Sequence, residues 1–139
     1  AAHKRLRQVT ASAEFSFLGT QISGVNLQGY EIHMGETCFV EDVHRPFHII
    51  SAGGTAIDVP DGAVSADGLV MGTYIHGVFD DDNFRRDLLN CLRVRRGWEE
   101  TSVQHRYREA KERAYDRLAE TVRASIDIDK LRAIMEGRR

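Results

Sequence analysis

The passage Asp67-Gly68-Leu69-Val70-Met71-Gly72-Thr73-Tyr74-Ile75-His76-Gly77-Val78-Phe79-Asp80-Asp81-Asp82 decides how the rest of the chain is read. It follows a short segment, Ala63-Val64-Ser65, that itself begins after Asp61-Gly62. A short segment, a DG turn and a longer apolar run spell a β-hairpin. Over residues 69–75, Leu69, Met71 and Ile75 share one face and Val70 and Tyr74 the other, which predicts a strand covered on both sides in a layered α/β structure. Three aspartates then supply acceptors and negative charge for the first turn of a helix. His76 thus stands where strand gives way to helix, beyond a strand's carboxyl end, the place where open α/β sheets bind ligands. Gly77 permits an unusual φ or a close approach at that exit.

Outward from this passage the chain is strand-rich before and helical after. Residues 14–18, 30–33 and 47–50 are short apolar or alternating runs bounded by glycine and read as strands. Downstream, Phe84, Leu88, Leu89 and Leu92 fall on one predicted helical face that Gly97 closes. Residues 105–125 place Tyr107, Ala114, Leu118 and Val122 along one stripe amid Arg and Glu, an amphipathic helix. Asp127 then caps a last short helix with Leu131, Ile134 and Met135, ended by Gly137.

With 139 residues, 42% apolar and 29% charged, and two prolines, the chain has the composition of one folded domain and excludes a disordered or low-complexity segment. No apolar run reaches the ~18 residues of a membrane span. The first five residues, Ala1-Ala2-His3-Lys4-Arg5, hold no initiator Met and precede no signal-type apolar stretch, so a piece of something longer is expected. Two cysteines are too few for a disulfide framework and suit a reducing cytoplasm. Net charge is −2, but residues 31–92 carry three basic against eleven acidic groups, and residues 93–139 thirteen against nine. The mixed signs of the tail read as a solvated helical surface. No aromatic-interleaved basic patch or glycine-rich cradle points to nucleic acid.

Four further clusters bear on chemistry. In Tyr30-Glu31-Ile32-His33, Glu31 and His33 share a strand face, where a carboxylate and an imidazole form an acid–base pair or position one another. His44 and His48 straddle Pro46 without any Cys-x-x-Cys, so no metal site is expected. Residues 51–55 are glycine-rich but lack the Lys and helix of a phosphate loop. Cys38, beside Phe39-Val40, and Cys91, inside the helix after His76, both read as buried structural thiols, and neither sits on a strand-to-helix elbow.

In order along the chain, Gly29-Tyr30-Glu31-Ile32-His33-Met34-Gly35, Asp61-Gly62-Ala63-Val64-Ser65 and Gly72-Thr73-Tyr74-Ile75-His76-Gly77-Val78-Phe79-Asp80 resemble the C-terminal class I glutamine amidotransferase domain of cobyric acid synthases. The tail Tyr115-Asp116-Arg117-Leu118-Ala119, leading to Ile126-Asp127, extends the likeness. The resemblance implies a flavodoxin-like α/β fold, with residues 1–97 the sheet and catalytic-histidine region and 98–139 a helical tail. It implies His76 as the catalytic histidine, with Tyr30, Glu31, His33 and Tyr74 in supporting positions. A Cys thiolate attacks the glutamine amide in such domains, and ammonia leaves from a glutamyl thioester. The ammonia goes to a corrin precursor, adenosylcobyrinic acid a,c-diamide, whose carboxylates an N-terminal synthetase domain activates with ATP and Mg²⁺.

One departure matters. The family nucleophile stands in a Gly-x-Cys-Gly-Gly stretch upstream of the Gly-Tyr-Glu-Ile-His motif, and residues 1–28 hold no cysteine. The chain is therefore expected to be the histidine half of the domain and inactive on glutamine alone, with no cofactor of its own. A sheet edge bared by missing strands would invite self-association. The related cobyrinic acid a,c-diamide synthase and peptidoglycan-precursor amidotransferases, and a degenerate domain that only binds, are the alternatives.

Overall fold

In residues 8–16 small or apolar Val9, Ala11, Ala13 and Phe15 alternate with Gln8, Thr10, Ser12, Glu14 and Ser16, and this period of two builds the centre of the molecule. The computed structural model describes residues 4–103 and 105–137. Strand β1 (Lys4–Phe17) pairs antiparallel with β2 (Thr20–Met34) from Lys4↔Met34 to Phe17↔Thr20, with one irregularity between Ala11 and Ala13. The connection is the pair Leu18-Gly19, both at positive φ (53° and 81°), as a two-residue turn with right-handed strand twist requires. Leu18 is an unusual residue for that turn, which is why the sequence yields two short runs where the structure has one long hairpin.

Strands β3 (Phe47–Ala52) and β4 (Thr55–Asp61) continue the sheet on the β1 side. A two-residue strand β7 (Ile75–His76) closes the other side, giving the order β4-β3-β1-β2-β7, with every pairing antiparallel. The expected hairpin exists in reduced form: β5 (Ala63–Val64) and β6 (Met71–Gly72) make a separate two-stranded sheet. Residues 69–75 are thus not one strand. Leu69 and Val70 are exposed, not covered on both faces, and the chain breaks at Thr73-Tyr74 before β7. Side chains cause both departures. Asp67 accepts from the Leu69 amide (3.0 Å) and the Ser65 hydroxyl (2.6 Å), making a tight turn. Asp61 takes the Tyr74 amide and the Thr73 hydroxyl, which moves the chain from the small sheet to the large one.

After a 3-10 turn (Val78–Asp80), helix α1 (Asp82–Arg95) starts at Asp81, whose carboxylate accepts from the Phe84 amide at 2.8 Å. Phe84, Leu88 and Cys91 are its buried side chains, spaced i, i+4, i+7. Leu89 and Leu92, expected on that face, are exposed; the smaller Cys91 takes the inward position next to the sheet. Phe84 meets Phe15 and Phe47 with ring centroids 6.4 and 6.0 Å apart, and Phe15 lies 6.0 Å from Phe47. These three rings, with Ile22, Leu27 and Ile49, are the centre of the core between sheet and helix. Burying each ring contributes about 1.5–3 kcal/mol.

The chain divides into two compact units at residues 104 and 105. The second contains α2 (Tyr107–Ser125) and α3 (Ile128–Met135), the latter capped by Asp127 through the Lys130 amide (2.9 Å). Neither helix has a buried residue. No helix among the described residues is long and apolar enough to cross a membrane. The protein is α/β, strand-rich first and helical last, as its sequence leads one to expect.

Candidate functional site

His76 occupies the second position of β7, opposite Tyr30 on β2, while the preceding pair sets Ile75 against Glu31. Side chains of directly opposed antiparallel residues share a face. Tyr30 and His76 therefore look to the solvent side, where both are exposed, and Glu31 and Ile75 look to the buried side. The imidazole of His76 has no hydrogen bond or ion pair among the described residues and is open to a partner from solvent. Its backbone is closely seated: a Cβ on Gly29 would stand 2.5 Å from the His76 carbonyl oxygen and 2.6 Å from an Ile75 methyl. Gly77 follows at φ +82°, a left-handed conformation that lets the chain turn at once into the 3-10 segment.

On the other face, Glu31 is the centre of a charged cluster. Only 3% exposed, it receives Arg5 Nη1 at 3.3 Å, Arg7 Nε and His33 Nε2 at 2.9 Å. Burial works to raise the Glu31 carboxyl, but the hydrogen bonds from Arg7, His33 and Arg5 and the Arg7 charge together outweigh it and hold it below the ordinary carboxylate value. His33 also places Nδ1 2.8 Å from the Gly35 carbonyl. Each ring nitrogen of His33 thus faces an oxygen acceptor. The His33 ring stacks on Tyr74 (centroids 4.2 Å apart, planes at 21°), and the Tyr74 hydroxyl bonds Thr37 Oγ1.

The five residues singled out in the sequence thus separate into two groups. Glu31, His33 and Tyr74 are brought into contact, and Tyr30 faces His76 across the strand pair on the opposite side of the sheet. Sequence reasoning missed Arg5 and Arg7, although their i, i+2 spacing matches that of Glu31 and His33 on the neighbouring strand. It also named Asp61 only as the first residue of a motif, with no role of its own. Asp61 is 4% exposed, and its Oδ2 accepts from the Thr73 hydroxyl and the Tyr74 amide (3.2 Å); Thr73 Oγ1 in turn accepts from the Ile75 amide (3.0 Å). A cleft of about 260 Å³ beside this junction is lined by Thr37, Phe39, Arg45, Thr73 and Tyr74 among others.

The cysteines differ from one another. Cys91 is buried, and burial pushes its thiol up despite a hydrogen bond with Thr20, so it is a poor nucleophile. Cys38, expected to be buried, is exposed. It lies in the irregular stretch between β2 and β3, where Phe39 and Val40 are exposed as well, so the apolar neighbours that suggested a core position do not form one.

Comparison with known proteins gives the family. The CobB/CobQ-like glutamine amidotransferase domain matches residues 1–84. Cobyric acid synthases from Salmonella dublin and Salmonella enteritidis PT4 are each 45% identical over 130 residues, covering 91% of this chain and 24% of their own length. The protein of that name from Salmonella heidelberg is 43% identical over 141 residues, 98% of this chain and 27% of its own. The chain spans about a quarter of the length of the curated relatives it matches. No solved structure matches it. The matched residues include β7 and the Gly77 turn as well as the Glu31 cluster, and the chain belongs to the CobB/CobQ-like glutamine amidotransferase domain family.

Proposed function

We propose that this chain is the histidine-bearing part of the amidotransferase domain of a cobyric acid synthase, and that His76 carries the proton in glutamine cleavage. The observation that supports this most is the exposed, unbonded imidazole of His76, held on a closely seated two-residue strand in a chain 43–45% identical to cobyric acid synthases. In this reading a cysteine thiolate outside these residues attacks the amide carbon of glutamine. His76 gives its proton to the departing nitrogen, which leaves as ammonia while a thioester forms. Neutral His76 then takes a proton from water as the water attacks the thioester, releasing glutamate and regenerating the thiol–histidine pair.

The ammonia is passed to a synthetase domain, where ATP and Mg²⁺ activate carboxylates of adenosylcobyrinic acid a,c-diamide. The residues described here contribute to the release of ammonia and not to that activation. Tyr30 stands opposite His76 in the strand pair, and Glu31, His33 and Tyr74 stiffen the strand behind it. Without the nucleophile, the chain alone is inactive on glutamine.

The test is His76→Ala in the full-length protein, assayed with two nitrogen donors. Glutamine-dependent amidation is expected to be lost while amidation from added ammonia is retained. Equal loss of both would overturn the assignment. Offering cobyrinic acid and peptidoglycan precursors as acceptors alongside the a,c-diamide separates the related amidotransferases, and a wild-type full-length protein that cleaves no glutamine would leave a domain that only binds.

A further inference from the structure

We propose that Asp61 is a positioning residue for His76: from the end of β4 its buried carboxylate clamps Thr73 and Tyr74 and fixes where β7 presents the imidazole. This rests on the reading of His76 as the proton carrier.

Two features of the structure support it. First, β7 is poorly held by its ladder. It has two register pairs with β2 and is the last strand of the sheet among the described residues. A pairing so short is weak by itself. Second, side chains supply what the ladder lacks. A connected series of bonds runs from Asp61 Oδ2 to the Thr73 hydroxyl and the Tyr74 amide, and from Thr73 Oγ1 to the Ile75 amide, the residue before His76. Bonds to an ionised acceptor are the stronger kind, and a carboxylate 4% exposed is tolerated only when so bonded.

The carboxylate is itself fixed. Arg45 reaches the carbonyls on both sides of it, Nε to Gly62 (2.5 Å) and Nη2 to Pro60 (2.9 Å), and Asp61 is in register with the fully buried Phe47. The core thus holds Asp61, Asp61 holds Thr73 and Tyr74, and these set the backbone that ends in His76. On the other face, stacking of His33 on Tyr74 steadies the same residue from the Glu31 side.

The decisive variants are Thr73→Val, which keeps shape and loses the hydroxyl, and Thr73→Ser, which keeps the hydroxyl. In the full-length protein, Thr73→Val and Asp61→Ala are expected to lower kcat for glutamine cleavage about 10²-fold, the usual result of misplacing a reacting group by about 1 Å. KM for glutamine and ammonia-dependent amidation are expected to hold. Thr73→Ser restores kcat. The ring nitrogen NMR signals of His76 shift in Thr73→Val and return in Thr73→Ser, which a purely structural role would not produce in a folded protein. If Asp61→Ala does not fold, the Thr73 pair decides. A folded Thr73→Val with unchanged kcat and unmoved His76 signals, beside an inactive His76→Ala, overturns the positioning role alone. Glutamine cleavage surviving in His76→Ala overturns the reading beneath it.

Discussion

Glu31 shows how one side chain turns a strand position into a charged junction. The same inward face of β1 and β2 that buries Val9 and Leu27 ends in Arg5, Arg7, Glu31 and His33, so the core gives way to ion pairs without leaving the sheet. Replacing Glu31 with Gln removes the charge that three cationic or polar donors share. Because Arg5 is half exposed, the cost is expected at about 2 kcal/mol, within the range for hydrogen bonds to charged groups, read from urea denaturation. The sign with pH follows from the lowered carboxyl. Its contribution is present above the ordinary value of 4.5 and lost as pH falls through the lower value of the folded protein. The stability gap between wild type and Glu31→Gln should therefore close on acidification below pH 4.5 and stay constant from there to neutrality. A gap that persisted at low pH would assign the cost to packing.

At the scale of elements, β7 and α1 are set by different means. Helix α1 is local in origin: Asp81 caps it and its apolar spacing chooses its buried face. Asp81→Ala is expected to cost about 1 kcal/mol, seen as a lower denaturation midpoint with unchanged slope. Strand β7 depends on distant partners, Gly29 and Asp61 above all. Gly29→Ala puts a methyl group 2.5 Å from the His76 carbonyl oxygen, and backbone cannot yield as a flexible side chain would. A loss of about 1–3 kcal/mol is expected, with faster amide exchange at Ile32, whose N–H bonds the Tyr74 carbonyl. Unchanged exchange there would show that β7 adjusts without leaving β2. The helix was legible from residues 80–97 for this reason, and the bounds of the strand were not: Asp61 acts from another strand and Gly29 from the far side of the β2–β7 pairing, beyond the reach of local pattern.

For the whole molecule, one cluster of three aromatic rings joins sheet to helix. Phe15 comes from β1, Phe47 from β3 and Phe84 from α1, each at most 1% exposed. Phe84→Ala is expected to cost about 3–5 kcal/mol, enough to unfold the first unit in a marginally stable background. Calorimetry would detect it, and a loss under 1 kcal/mol would mean that α1 contributes little to the core.

The sequence by itself determined the class of this protein, the capped helices at 82–95 and 128–135, and the motif that carries His76, because caps, turns and periodicity act over a few residues. It also marked Glu31 and His33 as partners, since i and i+2 on a strand share a face. Only the tertiary structure decided that β1 and β2 form one long hairpin through Leu18-Gly19, that Tyr30 and His76 lie across the sheet from the Glu31 cluster, and that Cys38 is exposed. It alone brought Arg5 and Arg7 to Glu31 and Asp61 to Thr73. For the strand residues the physical reason is the same. Which face of a strand is buried, and which distant group meets a carboxylate there, depends on register between segments far apart in the chain, and shifting the register by one residue reverses every assignment.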